Sequence, residues 1–263
     1  MGSGALAIPF DKYHGRWKID KEVSYIWWKP FIQYIIRHQL TFLDKQQLEF
    51  LIDNGNFFLD IPIGYGLGSS GALTAAIYDF ARLDEVSDLV ELQRRLGLIE
   101  SFFHGKSSGY DPLISFIDKG VQKSPSGETS YWSPGHSMDF NCYLLDSGTP
   151  RVGKELIAKF QKYSKEEKVR FDRIVALNNE IIHSLEQEVD AKQLFQVLNQ
   201  LSIEQFDKMD FLILSNVQEV WRSTLESDDI AVKICGAGGG GYYLVFSKET
   251  ISTLGGFSLV PVF

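Results

Sequence analysis

The chain has 263 residues, a hydrophobic content of 44%, 23% charged residues and a formal net charge of −8. A chain of this length buries roughly 70–75% of its unfolded surface as one large or two modest domains. The acidic balance argues against general affinity for nucleic acid or anionic membrane.

Cys142 and Cys235 form no CxxC pair and no zinc spacing, which points to a reducing compartment. No apolar run reaches spanning length, and the first residues lack the basic start and apolar centre of a secretory signal. A cytoplasmic protein is expected.

Residues 5–10 and 16–19 read as short strands. Residues 27–42 are aromatic and apolar at helical spacing (Trp28, Phe31, Ile32, Ile35, Ile36), as in a buried helix face. A strand is expected over 57–63 and a helix over 71–82, opened by Ser69 and Ser70. Leu89, Leu92, Leu96, Ile99 and Phe103 recur at i+3 and i+4 steps and predict a helix over 88–103. Residues 104–111 read as a Gly/Ser turn, 112–117 as an apolar stretch, 123–134 as a polar surface loop and 140–145 as a strand.

The character then changes. Long charged helical patterns fill 153–225, with no glycine between Gly153 and Gly236. Residues 231–234 and 242–246 flank a glycine-rich turn as a hairpin, and 259–263 is a last strand. The shift near 138–150 predicts an N-terminal domain over 1–138 and an α+β C-terminal domain over 139–263.

Three segments carry chemistry. The first is Asp60-Ile-Pro-Ile-Gly-Tyr-Gly-Leu-Gly-Ser-Ser-Gly-Ala72, where an apolar run enters a loop with Gly64, Gly66 and Gly68 and then two hydroxyls. Glycine turns let backbone approach a ligand, and the free N–H groups at a helix start attract anions. Gly66-x-Gly68-x-x-Gly71 matches the dinucleotide fingerprint, but a second amphipathic helix follows where a parallel strand is required. A P-loop needs a closing lysine and hydroxyl, and Ala72 and Leu73 stand there instead. The ordinary alternative is a strand-to-helix turn with a serine cap.

The second segment holds Glu100, inside the apolar stripe of its helix, and Asp111, at the end of a hydroxyl-rich turn. A carboxylate bordering a core needs a partner such as a metal ion. One at Asp111 can take a proton from an alcohol, against the plainer reading of an Asx turn. His104 alone reads as a helix-end residue and Lys106 as a solvated one. The third segment is Lys233-Ile-Cys-Gly-Ala-Gly-Gly-Gly-Gly241. Five glycines in six residues exceed what a hairpin turn requires, so close packing against a ligand or another loop is expected.

In this order and separation the motifs resemble those of the GHMP small-molecule kinases. Pro62-x-Gly64-x-Gly66-Leu-Gly-Ser-Ser70 is similar to the family's phosphate loop, and Lys233-x-x-Gly236-Ala-Gly-Gly-Gly-Gly241 to its C-terminal glycine motif, with Cys235 where Thr or Ser is common. Within the family, His104-Gly-x-x-Ser108-Gly-x-Asp111 and Leu144-Leu-Asp-Ser-Gly-Thr-Pro-Arg151 are most like segments of mevalonate kinases. The resemblance implies an α+β, two-domain fold, with a ribosomal-protein-S5-like N-terminal domain and a ferredoxin-like C-terminal domain. It implies ATP-dependent phosphoryl transfer to a small-molecule alcohol, mevalonate first, with phosphomevalonate or a sugar as alternatives. Carried over by position, Gly64, Gly66, Leu67, Gly68, Ser69 and Ser70, with Gly236, Gly238 and Gly239, would hold the nucleotide. Ser70 and Glu100 would hold Mg²⁺, and Asp111 would be the base. A homodimer is among the assemblies compatible with this reading.

The family pattern also has a lysine-bearing first strand ahead of the segment matching Ala5-Leu-Ala-Ile-Pro. Met1-Gly-Ser-Gly carries none of it, so the expectation is a start further upstream, with a catalytically silent nucleotide- or metabolite-binding member as the alternative.

Overall fold

The computed structural model describes residues 5–7, 21–54, 63–124, 126–133, 139–151, 153–187 and 190–262, with side chains from residue 28 onward except at 153 and 154. In chain order the elements are strand β1 (Ala5–Ala7), helices α1 (Lys21–Arg37), α2 (Lys45–Asn54), α3 (Ser69–Ala81), α4 (Leu89–His104) and α5 (Tyr110–Ile117), and strands β2 (Gly120–Lys123), β3 (Thr129–Trp132) and β4 (Asn141–Asp146). Then come helices α6 (Gly153–Glu166), α7 (Lys168–Glu186), α8 (Ala191–Lys208) and α9 (Ser215–Thr224), and strands β5 (Ile230–Ile234), β6 (Tyr242–Ser247), β7 (Thr253–Leu254) and β8 (Phe257–Pro261).

Two apolar cores organise these elements. In α1, Trp28, Phe31, Ile32 and Ile35 recur at i, i+3, i+4 and i+7, and all four are buried, with α1 packing on α2 and α4. Burying such side chains contributes roughly 1.5–3 kcal/mol each. Helix α4 starts where the sequence signals it. The Asp88 carboxylate accepts from the N–H groups of Val90 and Glu91 at 2.8 and 3.0 Å, satisfying two orphan donors. The second core lies between α7, α8 and α9 and an antiparallel sheet of order β5-β6-β4-β8-β7. The central strand β4 is buried on both faces. Tyr143 and Leu145 enter the helix-packed core, while Cys142 and Leu144 face the other way.

The 123–134 segment departs from expectation. It was read as a polar loop, but Thr129–Trp132 is a strand paired with Gly120–Lys123 in the antiparallel sheet β1-β2-β3. Its residues are polar because only Trp132 at its end is buried. The expected strands over 16–19 and 57–62 lie outside the described residues, as do 8–10 of the first; Ile63 is in a turn. The expected hairpin of β5 and β6 forms, with Ile234 opposite Tyr243 and Ile230 opposite Ser247, and the last strand ends at Pro261. No helix among the described residues is long and apolar enough to cross a membrane.

Candidate functional site

Gly64, Gly66 and Gly68 have φ of 83°, 81° and 75°. Three left-handed residues at alternate positions would each cost an ordinary side chain about 1–2 kcal/mol, which is why the loop needs glycine. Gly68 is the N-cap of α3, and no side chain caps the helix. Ser69 and Ser70 are therefore its first two helical residues, not its cap. This corrects the serine-cap reading, and the reason is that Ser70 is engaged elsewhere. Helix geometry leaves the N–H groups of this first turn without intrahelical partners, aimed out over the loop. Leu67 is half-buried within the same loop.

The Ser70 hydroxyl donates to Glu100 Oε1 at 2.9 Å and lies 3.2 Å from His104 Nε2. The Ser107 hydroxyl donates to the other carboxylate oxygen of Glu100. Glu100 is only 3% exposed. Burial pushes its pKa above the usual carboxylate range, opposed by the hydrogen bonds from Ser107 and Ser70 and reinforced by Asp111. Among the described residues no lysine or arginine comes within ion-pair distance of it. Two hard oxygen donors side by side, one of them an uncompensated carboxylate, suit Mg²⁺, which typically takes one or two protein carboxylates plus phosphate oxygens and water. Among the described residues no three or more His, Cys, Asp or Glu side chains gather as a fuller metal cage.

Asp111 lies in the first turn of α5, inside the helix and not at the end of a turn as the Gly/Ser pattern suggested. Gly109, in the left-handed conformation, is the N-cap, and Pro112 sits in the first turn, where its missing N–H costs nothing. The Asp111 carboxylate is exposed, and no donor reaches it among the described residues, so the Asx-turn reading does not apply. A β-carbon placed on Gly68 would lie 3.8 Å from Asp111 Cβ, and one on Gly71 would lie 2.8 Å from the Asp111 carbonyl carbon. The carboxylate-bearing turn thus rests directly on the glycine loop and the start of α3.

The C-terminal glycine cluster packs against the same loop. Gly236, Gly238, Gly239, Gly240 and Gly241 all have positive φ, and a β-carbon on Gly241 would strike the Tyr65 carbonyl oxygen. Gly239 N–H donates to Leu212 O and Gly241 N–H to Thr149 O, each at 2.7 Å, while Ser147 N–H donates to Gly241 O at 3.0 Å. The Tyr65 and Tyr242 rings stand 5.7 Å apart across the junction.

Two participants went unassigned in the sequence. Ser107 completes the Glu100 pair. Arg151, the last residue of the Leu144-to-Arg151 segment, donates its backbone N–H to Gly64 O at 2.9 Å. Its guanidinium lies against Gly66 and Gly236, so it reaches both glycine loops. Nearby, burial pulls the Lys233 ammonium below its ordinary pKa, and its Nζ donates to Ile234 O at 3.2 Å. Burial raises the Cys235 thiol, while Lys233 and Arg151 draw it down and Asp111 raises it further.

Residues 34–119 match the family model described as GHMP kinases N terminal domain. No curated protein matches the chain. Among solved structures, a mevalonate kinase from methicillin-resistant Staphylococcus aureus is 22% identical with a TM-score of 0.51, over 79% of this chain and 70% of that one. The galactokinase of Lactococcus lactis, complexed with galactose, is 13% identical with a TM-score of 0.55, over 88% and 69%. A protein of Listeria innocua is 16% identical with a TM-score of 0.57, over 94% and 81%. At these identities the likeness is one of fold, and that fold is the α+β arrangement of the GHMP kinases. Residues 34–119 are thus similar to the N-terminal domain of the GHMP kinases, and the chain as a whole shares the fold of the mevalonate kinase and galactokinase structures.

Proposed function

We propose that the chain is an ATP-dependent kinase that transfers a phosphoryl group to the hydroxyl of a small metabolite, with mevalonate the first substrate to test. The observation that carries this reading is the seating of Asp111, whose carboxylate has no donor among the described residues, against Gly68 and Gly71, which flank the Ser70 of the Ser70–Glu100 pair. A phosphate-accepting loop, a proton acceptor and a hard-oxygen pair are what phosphoryl transfer needs, since its catalysis is mostly positioning and charge neutralisation.

In this reading the N–H groups of Gly64, Gly66, Leu67, Gly68, Ser69 and Ser70 receive the nucleotide phosphates, and Gly236, Gly238 and Gly239 close the opposite wall. Ser70 and Glu100 would hold Mg²⁺, which when bound offsets charge on the phosphate oxygens. Asp111 accepts the proton of the alcohol, whose oxygen forms the new bond to the terminal phosphorus. The bond from that phosphorus to the bridging oxygen breaks, and ADP leaves with the electron pair. We place the boundary between the two domains at 138/139, between the two apolar cores, with Trp132 reaching across it into the second.

The test is ADP release by the full chain, with and without Mg²⁺, against mevalonate, phosphomevalonate and galactose. Turnover of mevalonate supports the reading as stated, and turnover of galactose or phosphomevalonate alone replaces the substrate. ATP binding with no turnover of any of the three overturns it.

A further inference from the structure

The side chain of Arg151 is set apart by its seat against Gly66 and Gly236, one residue from each glycine loop. Arg82, Arg94, Arg95 and Arg170 each meet a carboxylate at 3.2 Å or closer. Arg151, like Arg37, Arg173 and Arg222, meets none among the described residues, and of these it is the one placed between the two glycine loops. A guanidinium carries five N–H donors and no acceptor, so the fork is left without an anionic partner.

Its position is nevertheless built. The Arg151 backbone is tied to the first glycine loop through Gly64 O, and its side chain runs between the two loops. A β-carbon on Gly66 would overlap Nη1, and one on Gly236 would stand 3.2 and 3.3 Å from Nη1 and Nη2. A side chain at Gly66 would displace the guanidinium, and one at Gly236 would press on it. Along the same loop the Asp111 turn covers Gly68 and Gly71. A fixed cation and a free carboxylate thus stand in sequence over the segment from Gly66 to Gly71.

We propose that Arg151 clasps the terminal phosphate of the bound nucleotide, donating two N–H groups to its oxygens and offsetting their charge as the group passes to the alcohol. Planar two-point donation to phosphate is the contact for which arginine is suited and lysine is not. Arg151 forms no covalent bond in the step, and the proton goes to Asp111. This inference rests on the kinase reading.

The experiment compares the affinities of ADP and a non-hydrolysable ATP analogue by calorimetry for the unaltered chain, Arg151→Gln and Arg151→Lys, with turnover of the accepted alcohol. Removing a hydrogen bond to a charged group lowers affinity by about tenfold or more. Arg151→Gln should lose that factor for the ATP analogue, with ADP affinity kept within about twofold, and its kcat should fall by at least as much as analogue affinity. Arg151→Lys should recover part of the analogue affinity. Equal losses for ADP and the analogue would make Arg151 a strut between the loops, and unchanged affinities would remove it from the site; either overturns the clasp while leaving the kinase reading intact. An unaltered chain that binds neither nucleotide overturns both.

Discussion

Ser70 on α3 and Glu100 on α4 are joined by a 2.9 Å hydrogen bond from hydroxyl to carboxylate, across 30 positions of sequence. With Ser107 on the second oxygen and 3% exposure, Glu100 is a buried acid whose neutral form is favoured by desolvation. An amide fits the same space without the cost of burying charge. Glu100→Gln should therefore fold with an unchanged or higher melting temperature in the absence of metal. Loss of a charged ligand should raise the Mg²⁺ concentration for half-maximal turnover on the order of tenfold. An unaltered metal titration would return Glu100 to a purely structural role.

Asp111 offers an exposed carboxylate with no donor of its own among the described residues. Asp111→Asn keeps the shape and removes the basicity. General-base catalysis typically contributes about 10²–10⁴-fold, so kcat should fall by that order while ATP affinity stays nearly constant. The check is steady-state turnover beside a nucleotide titration. Unchanged kcat would exclude Asp111 as the base.

Gly71 tests how α3 and α5 hold that carboxylate. Its φ is not in the left-handed region, so an alanine is acceptable to the backbone, yet the added β-carbon would stand 2.8 Å from both the Asp111 carbonyl carbon and Pro112 N. Both neighbours are main chain and cannot swing away. Overpacking of this kind costs about 1–3 kcal/mol, and here it also displaces the turn that carries Asp111. Gly71→Ala should lower stability in urea unfolding and reduce turnover together. Gly105→Ala is the control: its φ is +71°, but nothing lies within 4 Å of the added carbon, so stability should fall by about 1–2 kcal/mol with turnover kept.

The sequence showed most plainly what is local. The apolar stripes of α1 and α4 and both glycine clusters each declare themselves within a few residues. The serine cap, the ordinary alternative for Ser70, could not be dismissed from local pattern because its partners, Glu100 and His104, come from another helix. The β2–β3 hairpin was hidden because polar composition marks exposure as readily in a strand as in a loop. Asp111 seemed to end a turn because the helix start at Gly109 depends on a left-handed glycine that periodicity does not reveal. Arg151 carried no local signal, since its meaning lies in two glycines distant on either side of it in the chain.

Glu91 gives a pH test away from the site. Arg94 Nε and Arg95 Nε stand 2.7 and 2.9 Å from its two oxygens, and Arg95 Nη1 also reaches Asp84 at 2.6 Å. Hydrogen bonds from Arg94 first, then Arg95, hold the Glu91 carboxyl down from its ordinary 4.5 to about 2. Asp84 is lowered in the same direction, mainly by Arg95. An acid whose folded pKa is depressed adds stability above its unfolded pKa, and that stability is lost as pH falls through the folded value. The contribution of Glu91 should thus be whole at neutral pH and fade between about 4.5 and about 2. Because the cluster is solvent-facing, added salt should shrink it. Melting temperatures of the unaltered chain and Glu91→Gln should differ most at neutral pH in low salt and converge as the pH is brought towards 2. A gap that stays constant down to that pH would mean that the charge on Glu91 contributes nothing and that the substitution acts through packing alone.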